Sequence, residues 1–355
     1  MKYLTLTLIL LFVKLSFTQV QFTEGSLADV MTKAKTENKV LMVDVLTDWC
    51  KWCIELDNKV YSKKDVGDFA NANQINYKID AEKGEGIDFA KKYGVSGYPT
   101  ILFLDKDGNE IDRIVGYIPA KDFLATIMDY NKGVNTLAYL KSALDKDPNN
   151  IEACLKMADK QMTFGNNAEA KKYLLNIITQ DPENKSGRKD DAEYKLASMS
   201  DKETVIQNLT VFIEKNPNSD VLKDAMISLA ESYSYLKSDA ENTDKIYAQL
   251  NEKFPNDETV SSSRGQYLIA RSGSIADKEK EDAKFKEALL LIETAMPLVA
   301  GSVNEASANY VKSKLQFNLK DYEAALESVN KALKIFNRKL YRDHKEKIEK
   351  QLSVK

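Results

Sequence analysis

The chain has 355 residues, of which 43% are apolar and 30% charged, a composition typical of soluble globular proteins with about two domains. Its formal net charge of -3 at pH 7 gives no basic excess of the kind that nucleic-acid-binding proteins show. The single histidine, His344, excludes most histidine-dependent chemistry, because Ser-His-Asp or Cys-His catalysis would have to rest on that one residue.

The first 18 residues have the pattern of a secretory signal peptide. Met1-Lys2 precedes an uncharged, mostly apolar run over residues 3–13, and Lys14 ends it. A membrane-spanning helix needs about 20 apolar residues, so this run is too short to be one. We predict cleavage after Thr18 and an exported protein, periplasmic or secreted, without a later membrane span. An uncleaved anchor and a buried strand are the alternatives.

The next 110 or so residues alternate between helix and strand patterns. A helix capped by Ser26 is predicted to run to about residue 37, and a strand is predicted over 40–46, where VLMVDVL is apolar except for Asp44. A helical stretch to about residue 61, a strand at 75–80 and a short helix at 87–93 follow. Strands at 100–104 and 110–115 flank a turn that contains Gly108, and a helix at 121–130 completes the series. This order predicts an α/β domain over residues 19–132, with a mixed sheet covered by helices.

After Gly133 the strand patterns give way to helical periodicity. Prolines recur at intervals of 34, 35 and 38 residues, at Pro148, Pro182, Pro217 and Pro255. Self-similarity at this period indicates stacked pairs of helices. We therefore predict an all-α repeat domain over residues 133–355, with about five helix pairs and a capping helix over 339–352.

Two of these units resemble the tetratricopeptide repeat family at individual positions. The residues at its small and breaker positions are Ala158, Gly165, Ala170 and Pro182 in one unit, and Ser313, Tyr322, Ala325 and Ala332 in the other. The resemblance implies a tetratricopeptide-like solenoid, and the extended concave surface of such arrays suits a protein partner.

The close cysteine pair Cys50-Lys51-Trp52-Cys53 lies between a predicted buried strand and a predicted helix. Two intervening residues place both thiols within one helical turn. Cys50, at the helix N-terminus beside Lys51, is the predicted nucleophile, because both features lower a thiol pKa. Cys53 is the predicted resolving thiol and should be more buried. A static disulfide is the alternative for this pair. A structural zinc site needs four ligands, so no metal is expected here, and no cofactor is expected either. Cys154 is predicted to be an inert packed thiol.

Residues 20–132 resemble the thioredoxin superfamily. The resemblance rests on Trp49 directly before Cys50, on Asp44 six residues before that cysteine, on the Tyr98-Pro99 loop and on Gly116. It implies that Asp44 is a buried carboxylate that assists proton transfer from the second thiol, and that Pro99 follows a cis peptide bond. Asp44 could also be an ordinary strand-edge carboxylate.

The resemblance implies a protein disulfide oxidoreductase that acts on cysteines of other proteins, with the repeats recruiting a partner. The predicted catalytic residues are Cys50, Cys53 and Asp44, and the predicted substrate-binding residues are Trp49, Trp52, Tyr98 and Pro99. Lys51-Trp52 stands where thioredoxins have Gly-Pro, so the direction of electron flow stays open. The absence of histidine there favours a reductase or isomerase. A non-enzymatic adaptor or a redox-sensing scaffold is the alternative function.

Overall fold

The computed structural model of the protein describes residues 19–353. The predicted signal peptide, residues 1–18, therefore lies outside the described residues. The chain divides into two compact units, one ending at Thr136 and the other beginning at Leu137. Within the described range, none of the helices has the length and apolar character needed to cross a membrane.

The first unit alternates helices and strands. Its helices are α1 (Leu27–Glu37), α2 (Lys51–Leu56), α3 (Lys64–Asn73), α4 (Glu85–Lys92) and α5 (Ala120–Asn131), and a π-helical turn, Asp57–Tyr61, follows α2. Its strands are β1 (Val40–Leu46), β2 (Gln74–Asp80), β3 (Thr100–Leu104) and β4 (Glu110–Val115). The predicted start of α1 is confirmed, because Ser26 and Asp29 form a reciprocal capping box there.

The four strands form one mixed sheet in the order β2-β1-β3-β4. β1 pairs in parallel with β2, whereas β3 is antiparallel to both β1 and β4. One face packs against α1 and α4, and the other against α2, the π-helical turn, α3 and α5. β1 is buried from Leu41 to Val45 because it is a central strand covered on both faces.

Two local features differ from the predictions for this unit. The helix that begins at the cysteine pair changes to π-helical geometry at Asp57–Tyr61, and α3 was not predicted. Lys63 occupies the N-cap of α3 without a side-chain hydrogen bond, so the usual start signal is missing.

The second unit contains twelve described α-helices, in agreement with the predicted all-α architecture. They are α6 (Leu137–Lys146), α7 (Ile151–Thr163), α8 (Asn167–Gln180), α9 (Lys189–Ser198), α10 (Val205–Lys215), α11 (Leu222–Ser232), α12 (Ala240–Lys253), α13 (Glu258–Lys278), α14 (Asp282–Leu298), α15 (Val303–Asn318), α16 (Tyr322–Ile335) and α17 (Lys339–Ser353). A second π-helical turn, Tyr233–Lys237, follows α11.

The helices pack as successive pairs, from α7 with α8 to α15 with α16. The four recurring prolines lie in the loops that separate α6 from α7, α8 from α9, α10 from α11 and α12 from α13, so they mark pair boundaries as predicted. Within the last pair, the hydroxyl of Ser313 donates to the carbonyl of Ala325 at 2.6 Å. His344 on α17 bonds the same hydroxyl through Nε2 at 3.1 Å, so the histidine joins the capping helix to the array.

Candidate functional site

The topology of the first unit gathers four loops at one end of the sheet. The carboxyl ends of β1, β2 and β4 lie at the same end as the amino end of β3, because only β3 runs the opposite way. The loops there carry the cysteine pair after β1, Glu82 after β2, Tyr98-Pro99 before β3, and Gly116-Tyr117 after β4. Residues far apart in sequence therefore form one site.

Cys50 and Cys53 form a disulfide at the start of α2, with their Cα atoms 5.3 Å apart. Cys50 is the N-cap residue, and its Sγ accepts a hydrogen bond from the backbone N–H of Cys53 at 3.1 Å. The expected difference in burial is absent in this disulfide form, since Cys50 is 4% and Cys53 is 5% exposed. Each sulfur covers part of the other when they are bonded, which accounts for the similar values.

Asp44 is fully buried in β1, on the face of the sheet that Leu56, Val60 and Tyr61 cover. Neither carboxylate oxygen has a hydrogen bond of good geometry, although the buried hydroxyl of Tyr61 lies beside the carboxyl as a weak donor. Burial raises the pKa of Asp44 from 3.8 to about 7, against the opposing effect of the Lys78 ammonium. A carboxyl with this pKa exchanges protons near neutral pH.

Lys78 is the charged neighbour of Asp44. It lies opposite Asp44 in the β1–β2 register, with Nζ 3.8 Å from Oδ2. Its ammonium also forms a close ion pair with Asp57 of the π-helical turn and lies 4.7 Å from the ring centre of Phe22 and 5.4 Å from that of Tyr61. Lys78 was not among the predicted site residues, because its place opposite Asp44 depends on the strand register.

Trp49 and Tyr98 form an aromatic contact on one side of the disulfide. Their ring centres are 5.8 Å apart in an edge-to-face arrangement, and the Trp49 indole N–H donates to Glu82 at 3.0 Å. Trp49 is 51% exposed, so this fixed indole offers an apolar surface to solvent beside Cys50.

Trp52 is partly buried and stacks on Tyr117, a residue that the sequence analysis did not single out. Pro99 follows a cis peptide bond, as predicted, and its carbonyl accepts the backbone N–H of Gly116 at 2.8 Å. The structure thus brings every predicted substrate-binding residue to this end of the sheet, with Asp44 on the strand that leads to it.

The predicted inert thiol lies in the repeat unit. Cys154 is buried, its Sγ is 3.4 Å from the amide of Asn176, and burial raises its pKa. Among residues 19–353, no group of three or more His, Cys, Asp or Glu side chains is placed to hold a metal ion.

Comparison with known proteins gives the same division of the chain. Residues 27–131 match the thioredoxin-like domain family, and residues 128–195 match the tetratricopeptide repeat. The thiol:disulfide interchange protein DsbD of Yersinia pestis is 36% identical over 94 residues, which are 26% of this chain and 16% of DsbD. The chloroplastic thioredoxin-like protein HCF164 of Oryza sativa subsp. japonica is 33% identical over 113 residues, 31% of this chain and 40% of HCF164.

A solved structure of a putative disulphide-isomerase from Bacteroides thetaiotaomicron is 37% identical to this chain. The match covers 32% of this chain and 93% of that one, with a TM-score of 0.30. The chain spans about a sixth of the length of DsbD and two fifths of HCF164, so the likeness concerns one domain of each. The chain therefore joins a thioredoxin-like domain to a tetratricopeptide-like helical region.

Proposed function

We propose that this chain is an extracytoplasmic thiol–disulfide oxidoreductase that acts on the cysteines of other proteins, and that its repeats recruit a protein partner. The observation that carries the proposal is the Cys50–Cys53 disulfide at the start of α2, on the loop that follows the strand holding the buried Asp44 carboxyl. The similarity of this domain to DsbD and HCF164 supports it.

In the reducing direction, the Cys50 thiolate attacks one sulfur of a substrate disulfide. The substrate S–S bond breaks, its second sulfur leaves as a thiolate that takes up a proton, and a Cys50–substrate disulfide forms. Cys53 then loses its proton and attacks Cys50 Sγ, which releases the substrate as a dithiol. Two electrons pass to the substrate, and the protein is left with the disulfide seen in the structure.

Two groups assist these steps. The backbone N–H of Cys53, which donates to Cys50 Sγ in the disulfide form, would stabilise a thiolate at the same atom. Asp44 would accept the proton of Cys53, since its pKa of about 7 allows it to be ionised and to be reprotonated near neutral pH.

Activity is tested by insulin reduction with dithiothreitol as the electron donor. The full chain should accelerate insulin precipitation, and Cys50→Ser should abolish the effect. Cys154→Ala is the matched control because it removes the buried thiol of the repeat unit, and it should retain activity. No acceleration by the folded wild-type chain would favour the non-enzymatic adaptor instead.

The reactivity of Cys50 is tested by alkylation of the reduced chain with iodoacetamide across a pH series. Cys50 should react faster than the other two cysteines, with an apparent pKa below the usual value of about 8.5. A value at or above 8.5 would contradict its role as the activated nucleophile.

We propose a reductase or isomerase rather than an oxidase, because neither residue between the cysteines is a histidine. Known potentials run from about -270 mV for thioredoxin through about -180 mV for protein disulfide isomerase to about -120 mV for the oxidant DsbA. Equilibration with glutathione should place this pair between the first two values. A potential near that of DsbA would contradict the proposed direction.

Export is proposed from the N-terminal pattern over residues 1–18. Expression of the full chain in a bacterial host should give a periplasmic product that begins at Gln19. A cytoplasmic product that retains Met1 would contradict this part of the proposal.

Recruitment by the repeats would raise the local concentration of the substrate at Cys50, since short linkages give effective concentrations in the millimolar range. A Cys53→Ser variant of the full chain should trap the native partner as a mixed disulfide. A fragment of residues 19–136 carrying the same change, once shown by circular dichroism to be folded, should trap much less. Equal trapping would show that the repeats do not recruit the substrate.

A further inference from the structure

The stack of Trp52 on Tyr117 forms a second aromatic surface beside the disulfide. The two ring centres are 5.8 Å apart with 30° between the planes, and the Lys51 ammonium lies 5.0 Å from the centre of the Trp52 ring. Both rings are partly exposed. A partly exposed surface with two aromatic rings and one ammonium group therefore borders the Cys50–Cys53 disulfide.

This surface is built from different contacts than the one that Trp49 forms with Tyr98. Trp49 is held by Glu82, which follows β2, whereas Trp52 stacks on Tyr117, which follows β4. β2 and β4 are the two edge strands of the sheet. A substrate segment attached to Cys50 would therefore meet two separate aromatic contacts, Trp49 with Tyr98 and Trp52 with Tyr117.

The loop that carries Tyr117 is tied to the predicted substrate-binding loop. The N–H of Gly116 donates to the Pro99 carbonyl at 2.8 Å, so Tyr117 is held at a fixed place next to Tyr98-Pro99. The Trp52–Tyr117 contact thus links the first turn of α2 to both loops, and the surface is in place before a substrate arrives.

A substrate bonded to Cys50 brings its neighbouring residues close to this surface, because consecutive Cα atoms are only about 3.8 Å apart. We infer that Trp52, Tyr117 and the aliphatic stem of Lys51 bind an apolar, above all aromatic, side chain adjacent to the substrate's cysteine. They thereby determine which protein disulfides are exchanged. The inference rests on the proposed function and adds a substrate class to it. A purely structural role for the stack would instead give no dependence on substrate sequence.

The test uses the reduced full chain and short peptides with a single cysteine in mixed disulfide with 5-thio-2-nitrobenzoate. The peptides carry Phe, Gly or Glu on either side of the cysteine and are otherwise identical. Cys50 attacks the peptide sulfur, the S–S bond breaks, and the coloured thionitrobenzoate leaves, so stopped-flow absorbance gives the second-order rate. The Phe-to-Gly rate ratio is the readout, because a uniform change in Cys50 reactivity cancels from it.

For Phe on at least one side of the cysteine, the wild-type Phe-to-Gly rate ratio should be about five to ten, which corresponds to the free energy of one aromatic contact. It should fall to about one or two in Trp52→Ala and in Tyr117→Ala, which changes the β4 loop and leaves α2 intact. Tyr117→Phe keeps the ring and should keep the ratio. Ile87→Ala, at a 53% exposed position on α4, is the control and should match the wild type.

A wild-type ratio near one, or an unchanged ratio in both alanine variants, would overturn the inference while leaving the proposed function intact. A greater preference for Glu than for Phe, lost in Lys51→Gln, would also overturn it, because the charge would then be the recognised feature. Failure of the reduced wild type to react even with 5,5′-dithiobis(2-nitrobenzoate) would overturn the proposed function itself.

Discussion

Replacing Asp44 with asparagine should remove most of the pH dependence of the stability of the thioredoxin-like domain between about pH 5.5 and pH 8.5. In the folded state Asp44 has a pKa of about 7, against 3.8 when it is exposed in the unfolded chain. Between these values the folded state holds a proton that the unfolded state has lost. The free energy of unfolding therefore falls as the pH rises and levels off above about pH 7.

The size of the effect follows from the same two values. Each tenfold difference in proton affinity corresponds to about 1.4 kcal/mol, so the full cost of ionising the buried carboxyl is about 4 kcal/mol. The part that falls between pH 5.5 and pH 7 is about 2 kcal/mol. Wild type should lose about this much between pH 5.5 and 8.5, and Asp44→Asn should lose little.

Tryptophan fluorescence during urea denaturation of the oxidised protein measures this stability selectively. The chain has two tryptophans, Trp49 and Trp52, and both lie in the thioredoxin-like domain. Asp68→Asn, at a half-exposed carboxylate on α3, is the matched control and should retain the wild-type loss. An equal loss in Asp44→Asn and wild type would refute the assignment of the pH dependence to Asp44.

Three further predictions follow from other contacts. Lys78→Met removes the ammonium that opposes the effect of burial, so the pKa of Asp44 should rise above about 7. The unfolding free energy measured by fluorescence should then level off at a higher pH than in the wild type. A pH dependence identical to that of the wild type would contradict this. Burial lowers the pKa of His344 below 6.5, so the imidazole NMR resonances of this single histidine should titrate with a midpoint below that value. The repeats should lose stability as the pH falls through 6.5. A titration midpoint at or above 6.5 would show that burial has no such effect. A Cβ at Gly86 would lie 1.9 Å from the carbonyl oxygen of Asp80. Gly86→Ala should therefore lower the unfolding free energy by about 1–3 kcal/mol or more in the same urea assay. Unchanged stability would argue against that close contact.

Features set by local sequence were predictable. The cap at Ser26, the apolar run of β1 and the β3–β4 turn with Gly108 each depend on a few neighbouring residues. The repeat boundaries were predictable because proline is disfavoured inside helices and four prolines recur at nearly constant intervals. By contrast, α3 begins without a side-chain cap, and the π-helical geometry after Leu56 has no established sequence signal.

The site was predictable only where its residues belong to one motif. The cysteine pair, Asp44 and Pro99 were identified from the chain itself, together with the resemblance. Lys78 and Tyr117 were missed because their places depend on strand register and strand order, which bring separate segments together. Neither residue has a distinctive sequence neighbourhood.

The cost of burying Asp44 is itself an argument about function. Domains are stable by only about 5–15 kcal/mol, and an ionised Asp44 would offset about 4 kcal/mol of that. Its carboxylate oxygens have no hydrogen bond of good geometry, the Tyr61 hydroxyl is only a weak donor to them, and Lys78 lies at 3.8 Å, so these contacts compensate only in part. Every other described position of β1 is apolar, and an apolar residue at 44 would pack the same face without this cost. The proposed role of Asp44 as a proton acceptor for Cys53 would account for a buried carboxyl at this position, which fold stability alone does not.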